Sequence, residues 1–246
     1  MRMKIRRLLL FLVVLIAAQA VAWAGAEAIG DGEVPAEEIV LDLPLLVNND
    51  VPLPEGYKPE KLIKLYDHKR NFKLNESNIR VEQVVFEAMN EMFKAAKADK
   101  VSGFIVTSGY RTEKQQNNIY KKDKKGVAAK PGHSEHQTGL AFDVTASGNK
   151  DFQKTKHYKW LKAHCFEYGF IIRYPKGKED ITQIPFEPWH YRYVGIEHAT
   201  AMQQMGEDTT LEEYIEALTK PEEEEIAAEA FPSEDAPPED EWAQQT

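Results

Sequence analysis

Residues 81–112 read VEQVVFEAMNEMFKAAKADKVSGFIVTSGYRT, and the change of pattern within them decides the fold class. Val81, Val84, Val85, Ala88, Met89, Met92, Phe93 and Ala96 recur at i, i+3, i+4 and i+7. That period puts one apolar stripe on a helix, which must pack against a core. After Gly103 the pattern shortens to Phe104-Ile-Val-Thr107, an apolar and β-branched run that reads as a buried strand. Ser108-Gly-Tyr-Arg-Thr112 is a turn leaving that strand. Thr112 with Gln115 three residues on is a capping-box pattern and opens a helix to about Lys121.

Working outward, a lysine-rich loop from Lys121 to Lys130 precedes Pro131-Gly132. Gly139-Leu-Ala-Phe-Asp-Val144 alternates, which places Ala141 and Asp143 on one face of a strand and Leu140, Phe142 and Val144 on the other. Residues 154–168 are helical in pattern and stop at Gly169, a natural C-cap. Strands are expected at Phe170–Tyr174 and Glu187–Val194, and short helices at Ile196–Met205 and Leu211–Leu218, the last capped by Thr210 and Glu213. No regular βαβ rhythm and no glycine-rich nucleotide loop appear, so the class is α+β and not doubly wound. One compact domain is expected over 61–219, after an extended lead-in at 27–60 that carries a short apolar run near Ile39–Val47 and room for one strand.

The chain has 246 residues and a net charge of −9, but the charge is unevenly placed. Pro221 to Thr246 holds ten acidic residues and no Lys or Arg; without it 31 basic residues face 30 acidic ones. The acidity therefore belongs to a tail, residues 220–246, whose Glu, Ala and Pro composition cannot bury enough apolar surface to fold. Nothing in this balance calls for a nucleic-acid partner. At the other end Arg2, Lys4, Arg6 and Arg7 precede the apolar run LLLFLVVLIAAQAVAWA, residues 8–24, with small residues at 22–26. Residues 1–26 thus read as a secretory signal peptide, with an uncleaved anchor as the alternative. Both place the working part outside the cytoplasmic membrane. The single cysteine, Cys165, lies in a helical pattern and reads as core packing; one thiol permits neither an intrachain disulfide nor a zinc knuckle.

The chemistry is concentrated in three short segments: Ser134-Glu-His-Gln-Thr-Gly-Leu-Ala-Phe-Asp143, Glu187-Pro-Trp-His190 and Ser108-Gly-Tyr-Arg-Thr112. His136, Asp143 and His190 offer two imidazoles and a carboxylate, a ligand set that leaves a fourth position on zinc for water. Glu187 is placed to act as the base, with Glu135 as its rival, directed away if its segment is extended. Arg111, at a strand-to-helix turn, presents a fork suited to a carboxylate or a developing oxyanion. Taken singly, His-x6-Asp and Glu-x-x-His are weak patterns. His133 adjoins the first motif without a ligand's position. His157 and His164 read as packing or solvated residues, and Trp189 as a wall of the site. Tyr191 and Arg192 are left out of it.

Together, and in this order, SGYRT, SEHQTGLAFD and EPWHYRYVG resemble the zinc D-alanyl-D-alanine carboxypeptidases of the VanY type, which process peptidoglycan stem peptides. The likeness extends to Leu46–Pro54, Tyr168–Pro175 and Leu211–Tyr214, and so covers about residues 45–216. The resemblance implies a small, mainly antiparallel sheet flanked by helices, of the hedgehog or D,D-peptidase kind, acting as a monomer. It implies His136, Asp143 and His190 as Zn2+ ligands, Glu187 as catalytic base, and Arg111 as the group that steadies the tetrahedral intermediate or holds the substrate carboxylate. Gln116 and Ser134 match positions lining the substrate pocket. Gln183 departs from the family, which usually has glycine there. The substrate expected is a stem peptide ending in D-Ala-D-Ala. L,D-cleavage of tetrapeptide stems, a D-Ala-D-Ala dipeptidase and a non-catalytic zinc-containing wall-binding module are the alternatives.

Overall fold

The structure, a computed structural model, describes residues 43–124, 126–148 and 151–220. The expected signal segment and the acidic tail from residue 221 lie outside these. No helix among the described residues is long and apolar enough to cross a membrane.

The chain runs β1 (Leu62–Lys64), β2 (Lys73–Leu74), β3 (Arg80–Glu82), α1 (Gln83–Ala98), β4 (Phe104–Ser108), α2 (Glu113–Lys122), β5 (Ala141–Ala146) and α3 (Lys156–His164). It continues with β6 (Phe170–Ile172), α4 (Glu179–Thr182), β7 (His190–Tyr193), α5 (Ile196–Met205) and α6 (Leu211–Thr219). Five strands form one sheet in the order β2-β4-β5-β7-β6, and β1 pairs with β3 in a separate ribbon. Only β2–β4 is parallel; the other pairs are antiparallel. The class is α+β, as the interspersed pattern implies.

The helix read from Val81 begins at Gln83, because Val81 belongs to β3; its side chain is fully buried all the same. Val85, Met89, Met92, Phe93 and Ala96 of α1 are fully buried against one face of the sheet, with Phe104, Val106, Phe142, Val144 and Phe170. The alternation read in β5 is the one observed: Phe142 and Val144 enter this core while Asp143 turns to the other face. Thr112 closes a capping box with Gln115, as does Thr210 with Glu213. The helical pattern at 154–168 is split into a 3-10 turn at Phe152–Lys154, α3 and a further 3-10 turn at Cys165–Tyr168, which Gly169 ends at φ +81. Cys165 is buried in the core, and burial pushes its thiol up to about 12, which leaves no nucleophile at neutral pH. The lead-in is described only from residue 43, and this part, 43–60, holds no strand; residues 27–42, with the start of the apolar run near Ile39, lie outside the described residues. Polar and proline residues give it no second apolar face to pair, and it lies as a strap whose Val47 is fully buried.

Candidate metal centre and active site

The face of the sheet opposite α1 carries the site. In the pairing register Ser108 of β4 lies across from Asp143 of β5, and Asp143 across from His190 of β7. Three neighbouring strands thus deliver three polar side chains in one row. A register irregularity between Val106 and Ser108 allows this at the end of β4, and Gly109 follows it. A Cβ on Gly109 would meet the Arg80 carbonyl oxygen at 2.3 Å, so only glycine lets the turn pass this close to β3. The Gly109 carbonyl accepts a hydrogen bond from His136 Nδ1 at 2.8 Å, and His136 O accepts from the Arg111 backbone N–H at 3.0 Å. SGYRT and SEHQT are locked together through their main chains.

Ser134 precedes a 3-10 helix, Glu135–Thr138, ended by Gly139 at φ +76. The segment is therefore helical and not extended, and successive side chains fan apart: His136 turns to the site and Glu135 into the protein behind it. His136, Asp143 and His190 bring one donor atom each to within 4.8 Å of one another. His136 Nε2 lies 3.4 Å from Asp143 Oδ2, and His190 Nδ1 lies 3.2 Å from Asp143 Oδ1. The far ring nitrogen of each histidine is already engaged, His136 Nδ1 by Gly109 O and His190 Nε2 by a Glu135 oxygen at 3.2 Å. Each imidazole can thereby donate its proton outward and turn a lone pair inward, the arrangement of a metal-ligating histidine. Burial lowers the pKa of His136 although Asp143 pulls the other way, which favours the neutral, ligating form. Burial works against ionisation of Asp143, yet His136 and His190 hold its carboxyl well below the usual range. These donors fit a divalent cation.

Glu187 and His190 are joined by a tight turn in which the His190 N–H bonds the Glu187 carbonyl at 3.2 Å. That turn returns the Glu187 carboxylate to 3.8 Å from His190 Nδ1, beside the ligand cluster but not buried in it. Burial raises the Glu187 pKa and nearby Asp143 adds to this, against His190 and Arg111. A carboxylate so placed holds a proton more readily than a surface glutamate, as a general base requires. Arg111 Nη2 donates to Ser108 Oγ at 3.0 Å and to Asp143 Oδ2 at 3.4 Å, and Nη1 to Gln116 Oε1 at 3.4 Å. Gln116 is itself buried and anchored by the Ala129 carbonyl at 2.8 Å. Ser134 is buried two residues before His136. Trp189 is 41% exposed and, with Thr107, Asp143, Thr145, Phe152 and Phe186, lines a cleft of about 520 Å³ that reaches the cluster at Asp143.

The structure thus gathers Arg111, Gln116, His136, Asp143, Glu187 and His190 around one point. Other residues fall away from it. His133 Nδ1 meets the Asn48 carbonyl, His157 Nε2 meets the Ser102 carbonyl, and His164 pairs with Glu167 at the surface. Tyr191 stacks on Phe142 in the core, and Arg192 turns to Glu135. Sequence reading missed Ser108 as a partner of Arg111 and, above all, the arginines behind the site. Arg173 is fully buried in the apolar run Phe170–Tyr174; a charge inside such a run demands a buried counter-ion, and that was the available signal.

A mixed sheet that presents two histidines and an aspartate to one point, with a glutamate alongside, supplies the donor set and base that a metal hydrolase uses. Comparison with known proteins narrows the class. Residues 78–196 match the family model described as VanY, D-alanyl-D-alanine carboxypeptidase. Carboxypeptidase YodJ of Bacillus subtilis (strain 168), itself an assignment by inference, is 40% identical over 190 residues, covering 71% of this chain and 67% of that protein. Among solved structures, the LD-carboxypeptidase LdcB superposes with a TM-score of 0.62 at 38% identity, over 70% of this chain and 84% of that one. The D,D-pentapeptidase VanY of a VanB-type vancomycin-resistance cassette, solved with Zn(II), gives 0.59 at 37% identity, over 70% and 97%. The chain belongs to the VanY D-alanyl-D-alanine carboxypeptidase family.

Proposed function

We propose that the protein is a zinc carboxypeptidase that releases the terminal D-alanine of peptidoglycan stem peptides outside the cytoplasmic membrane. The observation that carries this reading is the convergence of His136, Asp143 and His190 with Glu187 on their open side. Zinc suits two imidazoles and one carboxylate with a position left for water, and when bound supplies Lewis acidity at the scissile carbonyl.

The remaining work falls to side chains. Glu187, its proton affinity raised by burial, takes the proton of the attacking water and returns it to the departing amine of D-alanine. Arg111 is held by Ser108 and Gln116 at the edge of the cluster, where its charge faces the terminal carboxylate or the oxyanion as it forms. Gln116 and Ser134 shape the pocket for the last residue, while the cleft walled by Trp189 leaves room for the rest of the peptide. Glu187→Ala is expected to bind zinc as the parent does and to lose D-alanine release by at least about 10²-fold. Turnover retained in that variant would remove Glu187 from the mechanism.

The likeness to an LD-carboxypeptidase at 38% identity supports a second reading, cleavage of tetrapeptide stems. D-alanine release measured side by side on pentapeptide and tetrapeptide stems separates the two.

A further inference from the structure

Behind the ligand cluster lies a buried charge network that the reaction as described does not use. Glu135, Arg173 and Arg192 have side chains at most 1% exposed. Glu135 Oε1 accepts from Arg173 Nε at 2.7 Å and from Arg192 Nη1 at 2.8 Å, while Oε2 accepts from His190 Nε2 at 3.2 Å. Arg173 forks onto Glu212 at 2.8 and 2.6 Å, and Glu212 also accepts from Asn48 of the strap at 3.0 Å. Arg192 Nη2 donates to Leu45 O of the same strap at 2.6 Å. Two cations balance two anions, and the Glu135 carboxylate is held well below its usual range by both arginines and His190, despite burial that opposes this.

A buried ionic quartet is a poor means of gaining stability, because desolvation offsets most of the attraction. Its value is geometric, and the geometry ends on a metal ligand. We infer that Glu135 is a positioning residue, which fixes His190 in the ring orientation and tautomer that turn the Nδ1 lone pair toward Asp143 and His136. The two arginines pin Oε1, so Oε2 has one place to be and one donor to accept from. With the Nε2 proton committed to Glu135, Nδ1 is the nitrogen left to give its lone pair to a metal once its own proton is displaced. The inference rests on the metal reading given above.

Glu135→Gln tests it. The two arginine donors keep the amide oxygen at the Oε1 position, so the amide NH2 faces His190 Nε2 and favours the tautomer protonated on Nδ1, which has no lone pair for a metal. Zinc affinity, read by competition with a chromophoric chelator, is expected to fall about 10- to 100-fold. The Co2+-substituted protein is expected to show an altered visible spectrum. Glu212→Gln breaks the same network one bond further out and leaves the His190 partner in place. It is expected to lower the melting temperature with zinc affinity unchanged. If Glu135→Gln does not fold, the pair Glu135→Met with Arg192→Met removes one charge of each sign and is expected to fold with the same loss of affinity.

Affinity within twofold of the parent in a folded Glu135 variant overturns the inference. So does an equal loss in Glu212→Gln, which marks a general loss of structure. A parent chain that takes up no zinc overturns the metal reading itself, so the two failures are told apart by the parent isotherm.

Discussion

His190 is the residue on which most of the site's electrostatics converge. Without metal it sits between Asp143 and Glu135, and despite burial these two carboxylates push its pKa up to about 9. The proton so held stabilises the metal-free fold fully below the ordinary histidine value, about 6.5, and the contribution fades as pH rises through about 9. Zinc must displace that proton from Nδ1. Affinity for zinc is therefore expected to rise about tenfold per pH unit from pH 6.5 toward 9 and then level off. A chelator competition series that is flat over this window would show that His190 enters the site already neutral. Tyr191 makes a second case at this scale: its hydroxyl is buried and has no hydrogen-bond partner among the described residues. Tyr191→Phe is expected to match the parent or gain up to about 1 kcal/mol in thermal unfolding. A clear loss would mean that the hydroxyl has a partner, such as an ordered water. Gln183 shows what a single departure from a family pattern can report. It stands in the left-handed region at φ 57, where glycine is the natural occupant, and its amide reaches Asp50 of the strap. The sequence marked the position; only the backbone angle explains why glycine suits it.

At the scale of elements, what could be read followed length and period. Helix α1, the capped helices α2 and α6, and the alternation of β5 all carry enough repeats to declare themselves. The strands β1, β2 and β3 span two or three residues each and show no period, so nothing local distinguishes them from loop. Helix α4 is one turn, equally silent. The proposed ligand set was legible only when the three motifs were taken together and in order, since His-x6-Asp and Glu-x-x-His are weak patterns singly. Glu135 was legible as a carboxylate directed away from the site but not in its role, since nothing in an extended segment tells what it meets, whereas the 3-10 turn sends it onto two buried arginines. The turn at Gly109 joins element to site: Gly109→Ala forces a Cβ to 2.3 Å from Arg80 O, so β3 or the turn must move, and the carbonyl holding His136 moves with it. Loss of about 2 kcal/mol or more in denaturant unfolding, together with weaker zinc binding, is the expected outcome. An unaltered midpoint and affinity would show that the turn has slack.

Across the whole molecule, the charge count changes meaning once the fold is known. The ten acids after residue 220 lie outside the described residues, while the charges of the described domain are arranged in pairs and networks around one sheet. The strap before β1 is bound into this arrangement at Leu45, Asn48 and Asp50, touching in turn Arg192, Glu212 and Gln183. It thereby braces both the strand that carries His190 and the loop that leads to Glu187. The central proposal is that His136, Asp143 and His190 would hold a metal that supplies the Lewis acidity for hydrolysis at a terminal D-alanine. The most direct measurement is D-alanine release from a pentapeptide stem by protein stripped of metal and then titrated with zinc. The account predicts no release from the stripped protein and full recovery at one zinc per chain. Release that persists without metal, or zinc-loaded protein that releases nothing from either pentapeptide or tetrapeptide stems, would contradict it.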